Sequence, residues 1–300
     1  MPTAHDWIEA ARLRTLPLSV SSVILGGSIA AWYGAFSLPI FLLSVLTACL
    51  LQILSNFGND YGDFKKGSDG ADRVGPSRAV SSGAITPAQM KKGILLTAVL
   101  CAVSGGALIL TAFWHNPAVL AGFAVLGACC IAAAMLYTLG PRPYGYNAMG
   151  DFFAFLFFGP VAVAGSFLLY QTPVLTVPGL PACAAGLFTA AVININNIRD
   201  MQADILHGKN TVALRLGPEK ARRYHVILVT GALLCWAAYF IFINRPYGLL
   251  FLVFAAPIVK SAYVVANTDR PALLDKQLKM TSVGTGLLQC ILAGAFAFVL

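Results

Sequence analysis

Three long stretches without a charged side chain constrain what this chain can fold into. They cover residues 15–59, 93–141 and 152–198, and each is at least 45 residues long. A membrane-crossing helix needs about 20 apolar residues, so each stretch predicts two such helices joined by a short turn. Three further apolar segments predict one helix each, near residues 224–244, 246–266 and 280–300. The sequence therefore predicts an all-α, multi-pass membrane protein with nine transmembrane helices, forming a single domain over residues 1–300.

Composition supports this class and excludes others. Of the 300 residues, 58% are hydrophobic and only 11% are charged, whereas soluble domains carry about a quarter charged residues. An ordinary soluble enzyme and a disordered chain are both excluded. The net charge of +8 favours a membrane surface or an anionic ligand as partner, and we expect no nucleic acid.

The charges that remain are distributed unevenly across the predicted membrane. A pair of helices crosses the membrane and returns, so the loops before and after each pair lie on one side of the membrane, together with the N-terminus. Under this topology that side holds all 12 acidic residues and 19 of the 20 Lys and Arg residues, and only Arg245 lies opposite. Positive charge accumulates in cytoplasmic loops. We therefore expect the N-terminus and the charged loops to be cytoplasmic.

Two of these loops contain paired carboxylates beside a polar stripe. Asp60 and Asp63 are three residues apart, and Asp200 and Asp204 are four apart, so each pair shares a helix face. Asn56 lies one turn before Asp60 on the same stripe. Two acidic faces that meet would repel each other unless cations joined them, and Mg²⁺ binds carboxylates together with substrate phosphates. The pattern predicts that these four catalytic aspartates and Asn56 bind Mg²⁺.

Basic residues interleaved with the carboxylates suit the oxygens of a diphosphate. Asn59 and the basic side chains of the charged loops are the predicted diphosphate ligands: Arg73, Arg78, Arg142 and Lys209. One alternative is that the Asn and Asp residues only cap helix ends. The other is that the Lys and Arg residues only retain the loops in the cytoplasm.

The acidic motifs resemble the two signatures of the UbiA-type intramembrane prenyltransferases, N-D-x-x-D-x-x-x-D and D-x-x-x-D on the second and sixth of nine helices. Asn59-Asp60-x-x-Asp63 and Asp200-x-x-x-Asp204 occupy those places. The chain departs from the first signature because Gly67 stands at its last acidic position. Either Asp69 or Asp72 is expected to replace that acid as a metal ligand.

Further motifs resemble the branch of this family that prenylates 1,4-dihydroxy-2-naphthoate in menaquinone synthesis. They are Lys66-Gly67, Asp72-Arg73-x-Gly75-Pro76-x-Arg78, Asn194-x-Asn196-Asn197-x-Arg199-Asp200 and Gly208-Lys209-Asn210-Thr211. The resemblance implies an enzyme of the cell inner membrane. It would transfer a polyprenyl chain from a polyprenyl diphosphate to 1,4-dihydroxy-2-naphthoate, with loss of CO2, giving demethylmenaquinol.

Two other functions remain open at this point. An enzyme that prenylates 4-hydroxybenzoate or another aromatic acid would share the fold, metal and donor, but Lys66-Gly67 and Gly75-Pro76 favour the naphthoate branch. A cation-coupled transporter could use the four aspartates as ion ligands. Transporter sites usually lie near the bilayer midplane, whereas these acids are predicted at the cytoplasmic edge.

Overall fold

A computed structural model describes residues 2–68, 78–172 and 178–300. Within these ranges, nine helices are long and apolar enough to cross a membrane, which confirms the predicted number of spans and the all-α class. They are α1 (Ala4–Trp32), α2 (Leu38–Lys65), α3 (Pro87–Phe113), α4 (Pro117–Leu136), α5 (Gly150–Leu169), α6 (Gly179–Arg199), α7 (Pro218–Phe242), α8 (Pro246–Ala266) and α9 (Pro271–Phe298).

Successive spans run in opposite directions, so the connections divide between the two ends of the bundle. The N-terminus and the connections after α2, α4, α6 and α8 lie at one end, which we call the charged end. Most charged side chains of the described residues lie at or near this end, as the charge-free stretches predict, whereas Arg245 follows α7 at the other end.

The first span begins where the charges stop. A short helix, Ala4–Ala11, starts with a capping box in which Thr3 and Asp6 exchange hydrogen bonds. It ends at Arg12, whose left-handed backbone (φ 51°) turns the chain. A 3-10 turn follows, and the apolar part of α1 runs over Leu16–Trp32.

Helix α6 is the centre of the bundle and the most buried of the nine candidate spans. It packs against α5, α7 and α9. Small residues allow the close approach of α5, because a Cβ on Gly186 of α6 would lie only 2.6 Å from the Phe155 carbonyl oxygen. The middle of α5 widens into a π-helix over Phe157–Ala164, where Pro160 lacks the N–H that a regular helix needs.

The second acidic motif lies just beyond this central helix. Helix α6 ends at Arg199, and Asp200 occupies the break before a short helix, Met201–Leu206, that contains Asp204. The Asp204 amide still donates to the Asp200 carbonyl at 2.8 Å. The two acids therefore remain one helical turn apart despite the break.

Candidate active site

Asp63 is the centre of a polar cluster at the charged end of α2. Its side chain is buried, and Oδ1 accepts a 2.7 Å hydrogen bond from the Tyr146 hydroxyl. Oδ2 pairs with the Arg78 guanidinium at 2.8 Å. The Tyr146 hydroxyl also lies 2.7 Å from Ser68 Oγ. Asp63 is thus held by a neutral donor from one loop and a cation from another.

Asp60, one turn earlier on α2, is held by backbone donors instead. The amides of Ala79 and Val80 donate to its two carboxylate oxygens at 3.1 and 3.2 Å. The chain that precedes α3 therefore folds back over the first acidic motif. This arrangement brings Arg78 against Asp63, so a predicted diphosphate ligand pairs with a predicted metal ligand.

The two asparagines of the polar stripe contact neighbouring helices. The hydroxyl of Thr138, just after α4, donates to Asn59 Oδ1 at 3.1 Å. The amide nitrogen of Asn56 donates to the Ala11 carbonyl at 2.8 Å and to Thr15 Oγ1 at 3.0 Å. Asn56 therefore fastens the break in α1 to α2, and its assignment as a metal ligand stays a prediction.

Lys209 and Tyr146 join the second acidic motif to the first. Lys209 Nζ lies 3.4 Å from Asp204 Oδ1 and 5.5 Å from the centre of the Tyr146 ring. The backbone adds a link, since the Asn210 amide donates to the Tyr146 carbonyl at 3.1 Å. Because Tyr146 also binds Asp63, a single tyrosine contacts an acid of the first motif and Lys209, the partner of Asp204 in the second.

Asp204 has spare capacity to bind a cation. Its Oδ2 is buried without a hydrogen-bond partner. Burial raises the pKa of Asp204 above its usual value, Lys209 opposes that rise, and the charges of Asp200 and Asp63 add to it. A further cation beside Asp204 would favour its charged form.

Asp200 is paired with its own neighbour. Arg199 binds both Asp200 carboxylate oxygens at 2.7 and 2.8 Å, and it also contacts Asn196 at 2.9 Å and Asp275 of α9 at 2.8 Å. The Arg199 side chain is buried. It therefore ties the second motif to the last helix, a contact that the sequence analysis did not predict.

The remaining predicted ligands are Arg142, Asp69, Asp72 and Arg73. Arg142 is exposed in the connection after α4. Asp69, Asp72 and Arg73 lie outside the described residues, so their assignments stay predictions.

The described side chains fit a hard divalent cation without already forming a cage for one. No group of three or more His, Cys, Asp or Glu residues is arranged as a metal site within the described ranges. Arg78, Lys209 and Arg199 instead compensate the acids. Carboxylate oxygens are nevertheless the donors that Mg²⁺ prefers, and the unpartnered oxygen of Asp204 offers one directly.

Tyr146 is a residue of the candidate site that the sequence does not predict. It stands in an uncharged Tyr-Gly-Tyr-Asn segment, where spacing gives no sign of chemistry. Only a tertiary contact across 83 residues of sequence reveals its role. The one feature of the sequence that could have indicated Tyr146 is its place four residues after Arg142, a predicted diphosphate ligand.

Known proteins resemble this chain in sequence and in fold. The profile of the UbiA prenyltransferase family matches residues 19–283. A 1,4-dihydroxy-2-naphthoate octaprenyltransferase from Escherichia coli (strain K12) is 44% identical over 279 residues, which cover 93% of this chain and 90% of the relative. The Haemophilus influenzae protein of the same name is 40% identical over 280 residues, covering 92% of this chain and 91% of the relative.

Solved structures share the fold at low sequence identity. The apo structure of a UbiA homolog from Aeropyrum pernix K1 has a TM-score of 0.69 at 16% identity, covering 95% of this chain and 97% of that one. A UbiA homolog from Archaeoglobus fulgidus, bound to DMAPP and Mg²⁺, has a TM-score of 0.58 at 17% identity, covering 96% and 99%. Both likenesses extend over nearly the whole chain.

Proposed function

Because this chain belongs to the UbiA prenyltransferase family, we propose that it transfers a polyprenyl chain from polyprenyl diphosphate to 1,4-dihydroxy-2-naphthoate. The carboxylate leaves as CO2, and the product is demethylmenaquinol, a precursor of menaquinone. The observation that carries this proposal is the similarity to two naphthoate octaprenyltransferases over more than nine-tenths of the chain. The family and branch expected from the sequence motifs agree with it.

The active site is proposed at the charged end, where the two acidic motifs meet. The proposed catalytic and metal-binding residues are Asp60, Asp63, Asp200 and Asp204, with Asn56, Asp69 and Asp72 as further candidates for the metal. The metal is proposed to be Mg²⁺, which neutralises charge on the leaving diphosphate. The Archaeoglobus fulgidus homolog bound to DMAPP and Mg²⁺ supports this assignment, since it has the same fold.

The basic residues of the site are proposed to hold the diphosphate itself. Arg78 and Lys209 are the candidates closest to the proposed metal-binding acids, because Arg78 pairs with Asp63 and Lys209 pairs with Asp204. Arg78 offers a forked contact and Lys209 a point charge. Asn59, Arg73 and Arg142 complete the proposed set. Negative charge grows on the diphosphate as its bond to the allylic carbon breaks, so these contacts stabilise the transition state more than the ground state.

The apolar bundle protects the reaction from water. As the carbon–oxygen bond breaks, the allylic carbon becomes electron-poor, and the electron-rich naphthoate ring attacks it. Water would compete for the same carbon. A site at the inner edge of a membrane bundle limits that access, and the bundle and surrounding lipid accommodate the polyprenyl tail.

Orientation follows from the charge distribution. The charged end is proposed to face the cytoplasm of the cell inner membrane, because 19 of the 20 Lys and Arg residues lie on that side of the predicted topology. Diphosphate and naphthoate are charged, so they are expected to reach the site from this side.

An acceptor assay tests the proposed function. Purified protein in lipid vesicles is supplied with octaprenyl diphosphate, Mg²⁺ and either carboxyl-labelled 1,4-dihydroxy-2-naphthoate or 4-hydroxybenzoate. We expect labelled CO2 and prenylated naphthol in equal amounts, with no prenylated 4-hydroxybenzoate. Transfer to 4-hydroxybenzoate alone would assign the chain to the sister reaction. Naphthoate prenylation without CO2 release would contradict the proposed product.

A further inference from the structure

A second group of polar side chains is buried between α5, α6 and α7, inside the charged end. It consists of Asp151, Asn194, Asn197 and His225, which we call the buried polar cluster. Asn197 Nδ2 donates to Asp151 Oδ1 over 3.4 Å. Asp151 is 4% exposed, and Asn194 and His225 are fully buried. None of these residues belongs to the diphosphate site described above.

Most of the hydrogen-bonding capacity of this cluster is unused. Asp151 Oδ2 and both amide atoms of Asn194 are buried without a hydrogen-bond partner. His225 lies against the backbone of Ala191, one turn before Asn194 on α6. Burying such groups unpaired is costly. The free Asp151 oxygen lies beside Asn197, which stands three residues after Asn194 on α6, and this arrangement indicates a place where another molecule supplies the partners.

The cluster adjoins the diphosphate site through Tyr137. Burial raises the pKa of Tyr137, and the nearby charges of Asp151 and Asp63 raise it further. The ring lies against the start of α5, since a Cβ on Gly150 would lie 3.4 Å from the Tyr137 hydroxyl oxygen. On α6, Asn197 stands three residues before Asp200. Asn197, and with it Asp151, therefore lies about one turn deeper along α6 than Asp200.

We propose that the buried polar cluster binds a hydroxyl group of the aromatic acceptor and that Asp151 is the catalytic base for that hydroxyl. This inference rests on the proposed function. Its chemistry selects the ligand: a phenolic hydroxyl donates to the free Asp151 oxygen and accepts from the Asn194 amide. A diphosphate or the acceptor's own carboxylate would instead be repelled by Asp151.

The proton and electron movements balance. The acceptor O–H proton passes to Asp151 Oδ2 while the ring carbon that bears the carboxylate bonds to the allylic carbon. The allylic carbon–oxygen bond breaks, and its electron pair leaves with the diphosphate. The resulting keto acid loses CO2, whose former bonding pair returns to the ring. Asp151 then gives its proton back to the oxygen, which restores the aromatic hydroxyl.

The first test compares Asp151→Asn with Asp269→Asn, a change at an exposed acid that pairs with Arg222. Positioned bases contribute about 10² to 10⁴ in rate, so Asp151→Asn should lower kcat by about a hundredfold or more. The KM for octaprenyl diphosphate should stay within about twofold of wild type, because the base does not touch the donor. Asp269→Asn should match wild type.

The pH profile separates a base from a structural carboxylate. Without the base, turnover depends on acceptor whose hydroxyl has already ionised, so kcat of Asp151→Asn should rise about tenfold per pH unit below the acceptor's pKa. The titratable groups whose charges interact with that of Asp151 are Tyr137 and Tyr224, and both are retained in the variant. A profile parallel to wild type, or a tenfold change in donor KM, would overturn the proposal.

The second test uses Asn194→Leu and does not depend on how well Asp151→Asn folds. Because both Asn194 amide atoms are unpartnered, an apolar replacement removes no internal hydrogen bond, and Tm should not fall. The acceptor KM should nevertheless rise by about tenfold, since a hydrogen bond to the acceptor is lost. A lowered Tm with unchanged acceptor KM would assign Asn194 a purely structural role. Each kinetic value is compared with wild type on whichever acceptor the wild-type protein prenylates. These tests can therefore be evaluated even if the acceptor assay identifies an aromatic acid other than the naphthoate.

Discussion

Removing the hydroxyl of Tyr146 is the sharpest perturbation that the site offers. That hydroxyl donates to Asp63 and lies within hydrogen-bond distance of Ser68, both at 2.7 Å. Tyr146→Phe deletes these contacts but keeps the ring that faces Lys66 and Lys209 at 4.1 and 5.5 Å. The variant therefore removes the hydrogen bond to a proposed metal-binding carboxylate together with the contact to Ser68.

The expected size of the effect follows from the charge on Asp63. A hydrogen bond to a charged group contributes about 1.5 to 3 kcal/mol, which corresponds to about a ten- to 150-fold change in rate. Without the Tyr146 donor, Asp63 keeps its pairing with Arg78 but loses the contact that orients its other oxygen. We expect kcat/KM for octaprenyl diphosphate to fall within this range, and the Mg²⁺ concentration for half-maximal rate to rise.

Tyr144→Phe is the matched control, assayed beside wild type in lipid vesicles at several Mg²⁺ concentrations. The Tyr144 hydroxyl donates to the Ala133 carbonyl at 2.8 Å, so this variant loses a neutral hydrogen bond in the same loop. Its kcat/KM should remain close to wild type. If Tyr146→Phe keeps full activity, or if both variants lose the same factor, Tyr146 does not position Asp63 for catalysis.

Three further predictions concern charge, packing and topology. Asn at Asp60, Asp63, Asp200 or Asp204 should lower turnover about a hundredfold or more, while Asp269→Asn should not, as measured by product formation at saturating Mg²⁺. Gly62→Ala should lower Tm, because its Cβ would lie 2.7 Å from Thr138 Oγ1 and overpacking costs about 1 to 3 kcal/mol. Gly127→Ala, with no atom within 4 Å of the new Cβ, should leave Tm unchanged or higher, and equal Tm values would refute the packing argument. A reporter fused after His207 should be cytoplasmic and one fused at Asn116 should lie on the other side; the same side for both would contradict the nine-span topology.

Much of the fold could be predicted from the sequence because charge is so costly in a membrane. Charged residues are excluded from most of the apolar spans, so gaps between them predict helix pairs without any knowledge of packing. The same cost explains why Asp60 and Asp63 stood out as candidate site residues. Their spacing on one helix face required only the geometry of an α-helix.

The contacts that complete the site were beyond such reasoning. The bond between Tyr146 and Asp63 spans 83 residues, and that between Arg199 and Asp275 spans 76. Neither contact can be predicted from the spacing of residues along one helix, since both depend on which helices become neighbours in the bundle. The break at Asp200 was missed for a similar reason, because no proline or glycine in that segment marks the end of α6.

Both acidic motifs are proposed to serve one metal-dependent diphosphate site, and binding of an unreactive donor analogue tests this most directly. The Kd of a prenyl thiolodiphosphate is measured with and without Mg²⁺ for wild type, Asp63→Asn, Asp204→Asn and the control Asp269→Asn. We expect Mg²⁺ to tighten binding to wild type and to the control. Either site variant should lose at least about tenfold of that gain, as for other residues that support a metal site. Binding that is indifferent to Mg²⁺, or that depends on Asp63 but not on Asp204, would contradict a shared site.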